Sequence, residues 1–441
     1  MEVVIASSSV DFGISSWDLQ TGSENLRYKS CASSSHGLAT LGGEFLASSQ
    51  ISDSCSSGSI LYWSWHKPQV DVRNFPEEPI GPIICNPEGF YLFGGGSSGY
   101  LYMWEVSSGK LMKKWRAHYQ SVTCLAFSED GSFLVSASHD GGIKVWCLLT
   151  LFNDSTYVEK KHPQKYSFSE HPLNITDLVT GSGLCNSIFI SSSEDKSCKI
   201  WSLSRGELLR SITFPCIINA VVIDPGESVF YAGGTDGNIY IAALNADCNS
   251  NENYRLYILD ALSGQSGCIN CLAFSTDGVT LVSGLEDGMI RAWNTISRSV
   301  VHVFKHSKGP VNNVLIVKQP PTSNLQSQDD QKNWQILSCK KRLKIPLPPS
   351  LEKYIDYEES QYKAIRRPSI EDLHDNEYYS YNVMKNQIEE LQRQSSSSSS
   401  AMELARLKQE LKNCTEFCGH YKKLYEDLHR ICIEDLTFLK E

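Results

Sequence analysis

Short segments in which apolar and polar side chains alternate recur through residues 1–318, and polar turns separate them. Residues 121–131 read SVTCLAFSEDG and residues 268–278 read CINCLAFSTDG, so two distant segments share one strand followed by a turn that closes on glycine. Ile143 and Val145 alternate with Lys144 at the period of two that places alternate side chains on one face of a strand. The pattern predicts a chain of antiparallel hairpins.

A second turn carries an aspartate six positions before a tryptophan, in the pairs Asp11 and Trp17, Asp140 and Trp146, Asp195 and Trp201, and Asp287 and Trp293. Weaker copies lie between them. Trp63 and Trp104 have a serine, Ser57 and Ser98, six positions earlier in place of the aspartate, and Asp236 has Ala242 six positions later in place of the tryptophan. Self-similarity at a period of about 40 to 45 residues is typical of WD-repeat propeller blades. The sequence predicts an all-β fold, a seven-bladed WD-repeat β-propeller with four strands in each blade.

The ends of the predicted propeller indicate how the ring closes. Residues 2–9 and 11–17 supply the second and third strands of a blade, so the first repeat lacks an inner strand. Residues 300–304 supply the last outer strand, and His306 with residues 311–317 then repeats the pattern of a histidine before an inner strand. We expect the strand 311–317 to complete blade 1, which removes the open sheet edges and bounds the domain at 1–318.

Recurrent His, Ser, Asp and Trp residues are interpreted as a buried hydrogen-bond network of the blades. A tight turn leaves backbone amides that need an acceptor, and a carboxylate supplies one. A catalytic triad is the alternative interpretation, but a set that repeats in several blades cannot be an active site each time. The predicted network residues are His118, Ser136, Asp140, Trp146, His171, Ser191, Asp195, Trp201, Ser283, Asp287 and Trp293.

Composition and motifs indicate a binding protein. The 441-residue chain carries a net charge of −10, which disfavours a dedicated nucleic-acid binder but leaves a local basic patch open. We find no signal peptide and no apolar run long enough for a membrane span, so we expect a soluble, unsecreted protein. Of the 15 cysteines, Cys268 and Cys271 form an isolated CxxC without a second zinc knuckle, and no metal or cofactor is expected.

One further string resembles a catalytic motif. Residues 95–99 read GGSSG, which fits the GxSxG of a nucleophile elbow, but Trp104 shortly afterwards places them in a turn between blade strands. Neither a Walker loop nor a dinucleotide fingerprint is present in the sequence. The sequence therefore predicts a protein that is not an enzyme.

Beyond the propeller, residues 319–383 are predicted to form a linker. It contains the basic cluster 340–344, a candidate nuclear signal or a solvated loop, and the string Arg366-Arg367-Pro368-Ser369, a candidate docking motif or phosphosite. Residues 384–441 are predicted to form a coiled-coil helix, interrupted by serines 395–400. Its seam, expected to support self-association or partner binding, comprises Leu404, Leu407, Leu411, Cys414, Cys418, Tyr421, Tyr425 and Leu428.

Four segments carry a family resemblance: EVVIASSSVDFGISSWDLQTG at the start, GSILYWSW, SSGYLYMWEVSSGKL and EELQRQ. With them, the chain resembles the WD repeat-containing protein 18 family and its plant counterparts, the Root Initiation Defective proteins. The resemblance implies a non-enzymatic scaffold subunit of the rixosome-type complex, which acts with a dynein-like AAA ATPase on the precursor of the large ribosomal subunit. It implies adaptor subunits and the pre-ribosome as partners, location in the nucleoplasm or nucleolus with the cytoplasm left open, and a tie to meristem and root development.

Two other classes of function remain open. A substrate receptor of a cullin ubiquitin ligase is also a propeller, but such receptors often carry an arginine two residues after the Trp-Asp pair, where Trp17-Asp18 here has Gln20. A signalling scaffold of the G-protein beta type places its coiled coil before the propeller, whereas the predicted helix here follows it. Direct contact with RNA is left open by the sequence.

Overall fold

The computed structural model describes residues 2–43, 45–51, 57–152, 164–182, 187–244, 258–263, 267–306, 308–318 and 347–354. These residues belong to one compact unit, Met1–Ile355. The predicted coiled coil over 384–441 lies outside the described residues, as does the basic cluster 340–344.

Strands dominate the described chain because its apolar side chains alternate with polar ones. The first part contains β1 (Glu2–Ser8), β2 (Gly13–Asp18), β3 (Glu24–Lys29), β4 (Leu38–Leu41), β5 (Phe45–Ile51), β6 (Gly58–Ser64), β7 (Val72–Asn74), β8 (Ile80–Cys85), β9 (Tyr91–Gly96), β10 (Tyr100–Glu105), β11 (Leu111–Arg116), β12 (Val122–Phe127), β13 (Phe133–Ser138) and β14 (Ile143–Cys147). A short helix, α1 (Leu148–Phe152), follows β14 and was not predicted from the sequence.

The second part repeats the same pattern after α1. It contains β15 (Gln164–Phe168), β16 (Ile175–Thr180), β17 (Ile188–Ser193), β18 (Ser197–Ser202), β19 (Glu207–Thr213), β20 (Ile218–Ile223), β21 (Val229–Gly234), β22 (Ile239–Ala243), β23 (Ile258–Leu262), β24 (Ile269–Phe274), β25 (Thr280–Leu285), β26 (Met289–Asn294), β27 (Ser299–Lys305) and β28 (Val311–Lys318). None of the helical structure in the described part of the chain has the length and apolar character needed to cross a bilayer.

The described strands form seven antiparallel sheets of four strands each, which confirms the predicted seven-bladed propeller. Blade 1 has the order β28-β1-β2-β3, and blades 2 to 7 use the following strands in groups of four, beginning with β4–β7. In blade 1, Ile5 lies opposite Leu315 and Ala6 opposite Val314, so the last strand of the propeller is the inner strand of the first blade. The two ends of the ring are thereby hydrogen-bonded to each other.

The core lies between neighbouring sheets. The inner strands β12, β16, β20, β24 and β28 contact one another around the axis, and apolar clusters fill the space between successive blades. One such cluster joins blade 7 to blade 1 through Val282, Ile290, Trp17 and Val311. Because each blade packs both of its faces against neighbours, the propeller exposes its turns and its outer strands.

Those turns fall on two faces. Strands in a blade are antiparallel, so the turn between its second and third strands opens on the same side as the connection that enters its inner strand. We call this side the upper face, and the side carrying the other two kinds of connection the lower face.

Candidate functional site

The predicted polar network is complete in blade 5. His171 Nε2 lies 2.8 Å from Ser191 Oγ, and His171 Nδ1 lies 2.8 Å from Asp195 Oδ2. The indole Nε1 of Trp201 donates to the same Ser191 hydroxyl over 2.9 Å. Asp195 also accepts from the amide of Ser197 at 2.8 Å, so one carboxylate serves both the histidine and the turn.

Blade 4 contains the same residues in a looser arrangement. His118 Nε2 lies 2.8 Å from Ser136 Oγ, and Trp146 Nε1 donates to that hydroxyl over 2.9 Å. Asp140 accepts from the amides of Tyr119 and Gly142, at 3.0 and 2.8 Å. Its distance to His118 Nδ1 is 3.7 Å, beyond a hydrogen bond.

Blade 7 has two of these interactions, the tryptophan–serine and the aspartate–amide hydrogen bonds. Trp293 Nε1 donates to Ser283 Oγ over 3.1 Å, and Asp287 accepts from the amide of Met289 at 2.8 Å. The aspartate of each of these blades thus bonds the amide two positions later, which closes the tight turn between the second and third strands. The described contacts of these sets lie within single blades or their turns.

Electrostatics in the network follow from burial. Burial works to raise the pKa of Asp195, but hydrogen bonds from His171 and Ser197 outweigh it, and the pKa lies below its ordinary value. The pKa of Asp140 is lowered in the same manner, by His118 and by two backbone amides acting against burial. Burial lowers the pKa of His171, and Asp195 only partly offsets this effect. The carboxylates therefore stay ionised as acceptors.

Blade 3 differs, and the difference creates a groove at the rim of the propeller. Register pairs Gly94 with Tyr102, the place that Ser136 takes opposite Lys144 in blade 4, so the Trp104 indole lacks the usual hydroxyl partner. A Cβ on Gly94 would lie 3.0 Å from the Trp104 ring, which leaves little room for a serine there. Trp104 Nε1 instead donates to the main-chain carbonyl of Glu352 over 3.0 Å.

Residues 347–354 fill this groove, which we call the rim groove and define by Asn74, Trp104, Gly109 and Leu111. The amide of Leu351 donates to Asn74 Oδ1 over 2.8 Å, and the amide of Glu352 donates to the carbonyl of Gly109 over 2.8 Å. The Glu352 carboxylate accepts from the amide of Leu111 at 3.3 Å. Leu351 packs against the apolar cluster of blades 2 and 3.

The segment 347–354 falls inside the region that the sequence predicts as linker, and the sequence gives little sign of its packing. Gly109 offers a partial signal, because its φ of +72° favours glycine and a Cβ there would collide with the carbonyl of Ser350. The other signal is Gly94, a glycine at the position where blades 4, 5 and 7 have a serine. Neither identifies which distant segment binds.

The axial channel is the second candidate site, and His36 divides it. A cavity of about 670 Å³ opens on one side of His36 and a cavity of about 390 Å³ on the other. The larger cavity lies toward the upper face, since His139, Glu286 and Pro310 from upper-face turns line it. His36 precedes the inner strand of blade 2, yet its side chain reaches Thr176 of blade 5.

Three side chains from different blades meet where His36 crosses the channel. His36 Nε2 lies 3.1 Å from the Thr176 carbonyl, and Cys124 Sγ donates to the same oxygen over 3.2 Å. Asp177 lies 3.8 Å from His36 Nδ1 and accepts from the amides of Leu178 and Val221 at 2.7 and 2.8 Å. The sequence does not predict this cluster, because its members come from blades 2, 4 and 5.

The other cysteines singled out in the sequence point elsewhere. Cys268 Sγ donates to the Thr235 carbonyl over 3.1 Å, and Cys271 Sγ donates to the Val311 carbonyl over 3.6 Å. The two thiols of the CxxC string therefore have different partners. Burial raises the pKa of Cys271 above its ordinary value.

Several large apolar side chains are exposed on the upper face. Tyr119 is 81% exposed and Phe12 is 65% exposed, and both lie in upper-face turns with Val10 and Leu173. Ile296 and Leu149 provide comparable exposure on the lower face, at 79% and 75%. The predicted seam of the C-terminal helix, Leu404 to Leu428, lies outside the described residues.

The closed ring of four-stranded blades with Trp–Ser and Asp–turn hydrogen bonds defines the class of WD-repeat propellers. Residues 109–147, 163–202 and 256–294 match the family described as WD domain, G-beta repeat. The chain belongs to the WD repeat-containing protein 18 family, which confirms the family resemblance.

Three relatives support this assignment. Protein ROOT INITIATION DEFECTIVE 3 of Arabidopsis thaliana is 45% identical over 99% of this chain and 98% of its own length. WD repeat-containing protein 18 of Homo sapiens is 32% identical over 69% of each chain. Pre-rRNA-processing protein crb3/ipi3 of Schizosaccharomyces pombe is 30% identical over 58% of this chain and 67% of its own length.

Proposed function

We propose that this chain is a non-enzymatic scaffold subunit of a nuclear complex that matures the precursor of the large ribosomal subunit. Similarity over 58% and 62% of the chain to two proteins named for pre-rRNA processing carries the proposal. The fold supports it, because the repeated His, Ser and Asp side chains bond within their own blades and close turns rather than facing a shared cavity. We assign these network residues a structural role.

The proposed partners are protein subunits of that complex, including adaptors and a dynein-like AAA ATPase, and the pre-ribosome itself. A rigid ring suits this task, because surfaces held in fixed positions bind without the cost of ordering them. The upper face is the proposed contact surface for an adaptor, since Tyr119 and Phe12 expose aromatic rings there. An effect on meristem and root development is part of the proposal, either as a demand for ribosomes or as a regulatory role, and the name of the relative in Arabidopsis thaliana supports the root part of it.

Residues 384–441 are proposed to add a second contact surface through a helical seam. Linking two weak surfaces in one chain raises the effective concentration of each for its partner. Charged residues in place of Leu407, Leu411 and Leu428 are expected to disperse copies of the full chain while the propeller stays folded. Light scattering measures the mass, and an unchanged mass would remove self-association from the proposal.

The test of the function is purification of the tagged full-length chain from nuclear extract, beside a version that ends at Asn382. Mass spectrometry is expected to recover a large AAA ATPase and large-subunit assembly factors with the full-length chain. Recovery of cullin subunits or of signalling proteins in their place would overturn the proposal. Accumulation of unprocessed large-subunit rRNA on depletion of the chain is the second expected result.

The same purification tests the upper face. Phe12→Ser with Tyr119→Ser is expected to lose the adaptor. The matched control, Leu149→Ser with Ile296→Ser, changes two similarly exposed side chains on the lower face and is expected to retain it. Equal recovery with both variants would assign the adaptor to another surface.

A further inference from the structure

The cluster of His36, Cys124 and Asp177 lies where His36 crosses the axial channel. It combines three kinds of side chain that bind metal ions in proteins. The ligand atoms of the three side chains lie within 4.8 Å of one another. A nitrogen, a thiol sulfur and a carboxylate oxygen from three blades thus lie close to one another.

The Thr176 carbonyl determines how the imidazole is protonated. A carbonyl oxygen only accepts hydrogen bonds, so the His36 Nε2 that lies 3.1 Å away must carry the hydrogen. In the neutral ring the lone pair is then on Nδ1, which faces Asp177 Oδ1 at 3.8 Å. A lone pair directed at a carboxylate is repelled by it, and a metal ion bound between the two atoms would remove this repulsion.

The Asp177 carboxylate, 3.8 Å from His36 Nδ1, favours positive charge at this point. Asp177 is held in place by the amides of Leu178 and Val221, one on each side of its carboxylate.

We propose that His36 Nδ1, Cys124 Sγ and Asp177 Oδ1 bind a zinc ion across the axial channel. The donor set is that of zinc, whereas magnesium and calcium require oxygen ligands almost throughout. The cavity of about 670 Å³ beside His36 provides an entry path and room for a water as the fourth ligand.

The surrounding hydrogen bonds match those of metal ligands in proteins. A zinc-bound imidazole usually donates its other N–H to a carbonyl or carboxylate, and here Nε2 does so to Thr176. Ligating carboxylates are in turn hydrogen-bonded, as Asp177 is. Zinc binding releases the thiol proton of Cys124 to water, and the sulfur–zinc bond replaces the hydrogen bond from this thiol to the Thr176 carbonyl.

The consequence for the fold is a bridge from blade 2 to blades 4 and 5, neither of which is adjacent to blade 2. His36 enters from the loop before β4 in blade 2, Cys124 from β12 in blade 4 and Asp177 from β16 in blade 5. A zinc ion at this point ties the three blades across the axis and separates the two cavities of the channel.

The proposal is tested by the metal content of the full-length protein purified without chelator from cells grown with zinc. Inductively coupled plasma mass spectrometry is expected to find roughly one zinc ion per chain. The variants Cys124→Ser and Asp177→Asn are each expected to lose this zinc. Cys271→Ser is the matched control, because Cys271 takes the place of Cys124 on the inner strand of blade 7 and lies outside the cluster. The control is expected to retain the zinc.

A spectroscopic readout covers the case in which a variant folds poorly. Cobalt(II) added to the metal-free wild-type protein is expected to give the near-ultraviolet charge-transfer band of a cobalt–thiolate bond, and zinc is expected to raise the melting temperature by mass action. Zinc-free wild-type protein with no cobalt–thiolate band and no zinc-dependent shift overturns the proposal. Zinc retained in Cys124→Ser overturns it as well.

Discussion

The indole nitrogen of Trp104 donates a hydrogen bond to the main-chain carbonyl of Glu352 over 3.0 Å, across 248 positions of sequence. In blades 4, 5 and 7 the equivalent indole bonds a serine ten positions earlier in its own blade. Blade 3 has Gly94 where that serine would be, so its tryptophan is free to hold residues 347–354 in the rim groove. The indole that lacks a serine partner in its own blade thus binds a segment that follows the propeller strands in sequence.

Trp104→Phe is expected to loosen residues 347–354 while leaving the propeller folded. The variant removes one hydrogen bond to Glu352, worth about 1 kcal/mol, and keeps most of the aromatic volume. Hydrogen exchange at the amides of Leu351 and Glu352 is expected to accelerate by about fivefold, since both amides are hydrogen-bonded only while the segment is docked.

The matched control for this prediction is Trp115→Phe. Trp115 lies on the neighbouring strand β11, and its buried indole nitrogen has no hydrogen-bond partner among the described residues. Its replacement is expected to leave exchange at Leu351 unchanged. Equal acceleration in the two variants would mean that the Trp104 hydrogen bond does not hold the segment.

Ser191→Ala is expected to destabilise the propeller by about 2 kcal/mol, because it removes the acceptor of the buried Trp201 indole and the partner of His171. Denaturant unfolding followed by tryptophan fluorescence measures the change. Ser297→Ala, an exposed position in the turn after β26, is the control and is expected to change stability by less than about 0.5 kcal/mol. Equal stabilities would assign the blade network no role in holding the fold.

Asn313→Asp is expected to lower the melting temperature of the propeller more than the same change at the adjacent Asn312. Asn313 is buried, and its Nδ2 donates to the Ser34 carbonyl at 2.7 Å and to Ser7 Oγ at 3.0 Å. A carboxylate places a buried charge against these oxygens at a cost of about 3 kcal/mol or more.

Asn312 on the same strand is only half-buried and lines both channel cavities, so Asn312→Asp adds the same charge in a more exposed position. Thermal unfolding of the two variants provides the comparison. A similar loss in both would show that charge on β28, rather than the buried contacts of Asn313, determines the effect.

The stability of the propeller is expected to fall as the pH drops below about 6.5. Burial lowers the folded-state pKa of His171 and of His306 below the ordinary value of 6.5. The unfolded chain therefore binds protons more readily at these positions, so their contribution is fully present above pH 6.5 and is lost as the pH falls. The lowered pKa of Asp195 acts with the same sign, but only below its ordinary value of 3.8.

Melting temperatures between about pH 7.5 and about pH 5 check this prediction. His171→Gln keeps a polar side chain that cannot titrate, so its melting temperature is expected to depend less steeply on pH than that of the wild-type protein. The prediction fails if the two curves run parallel.

Local regularities of the sequence determined the propeller. The alternation of side chains, the glycine-closed turns and the Asp-to-Trp spacing all act within one blade, where a tryptophan and its serine lie ten positions apart. Because the contacts within a blade join residues that are close in sequence, each blade leaves its own repeat in the sequence. The number of blades and the strands of each could therefore be predicted. The sequence also indicated that a late strand completes blade 1, because the first repeat begins without its inner strand.

Only the tertiary structure decided which distant residues meet. Residues 347–354 lie in the rim groove because an indole, an amide and a glycine turn from blades 2 and 3 converge there, and no periodicity marks that convergence. His36, Cys124 and Asp177 likewise come together only because the closed ring brings blades 2, 4 and 5 to a common axis. Such contacts depend on the geometry of the whole ring, whereas the sequence pattern specifies one blade at a time.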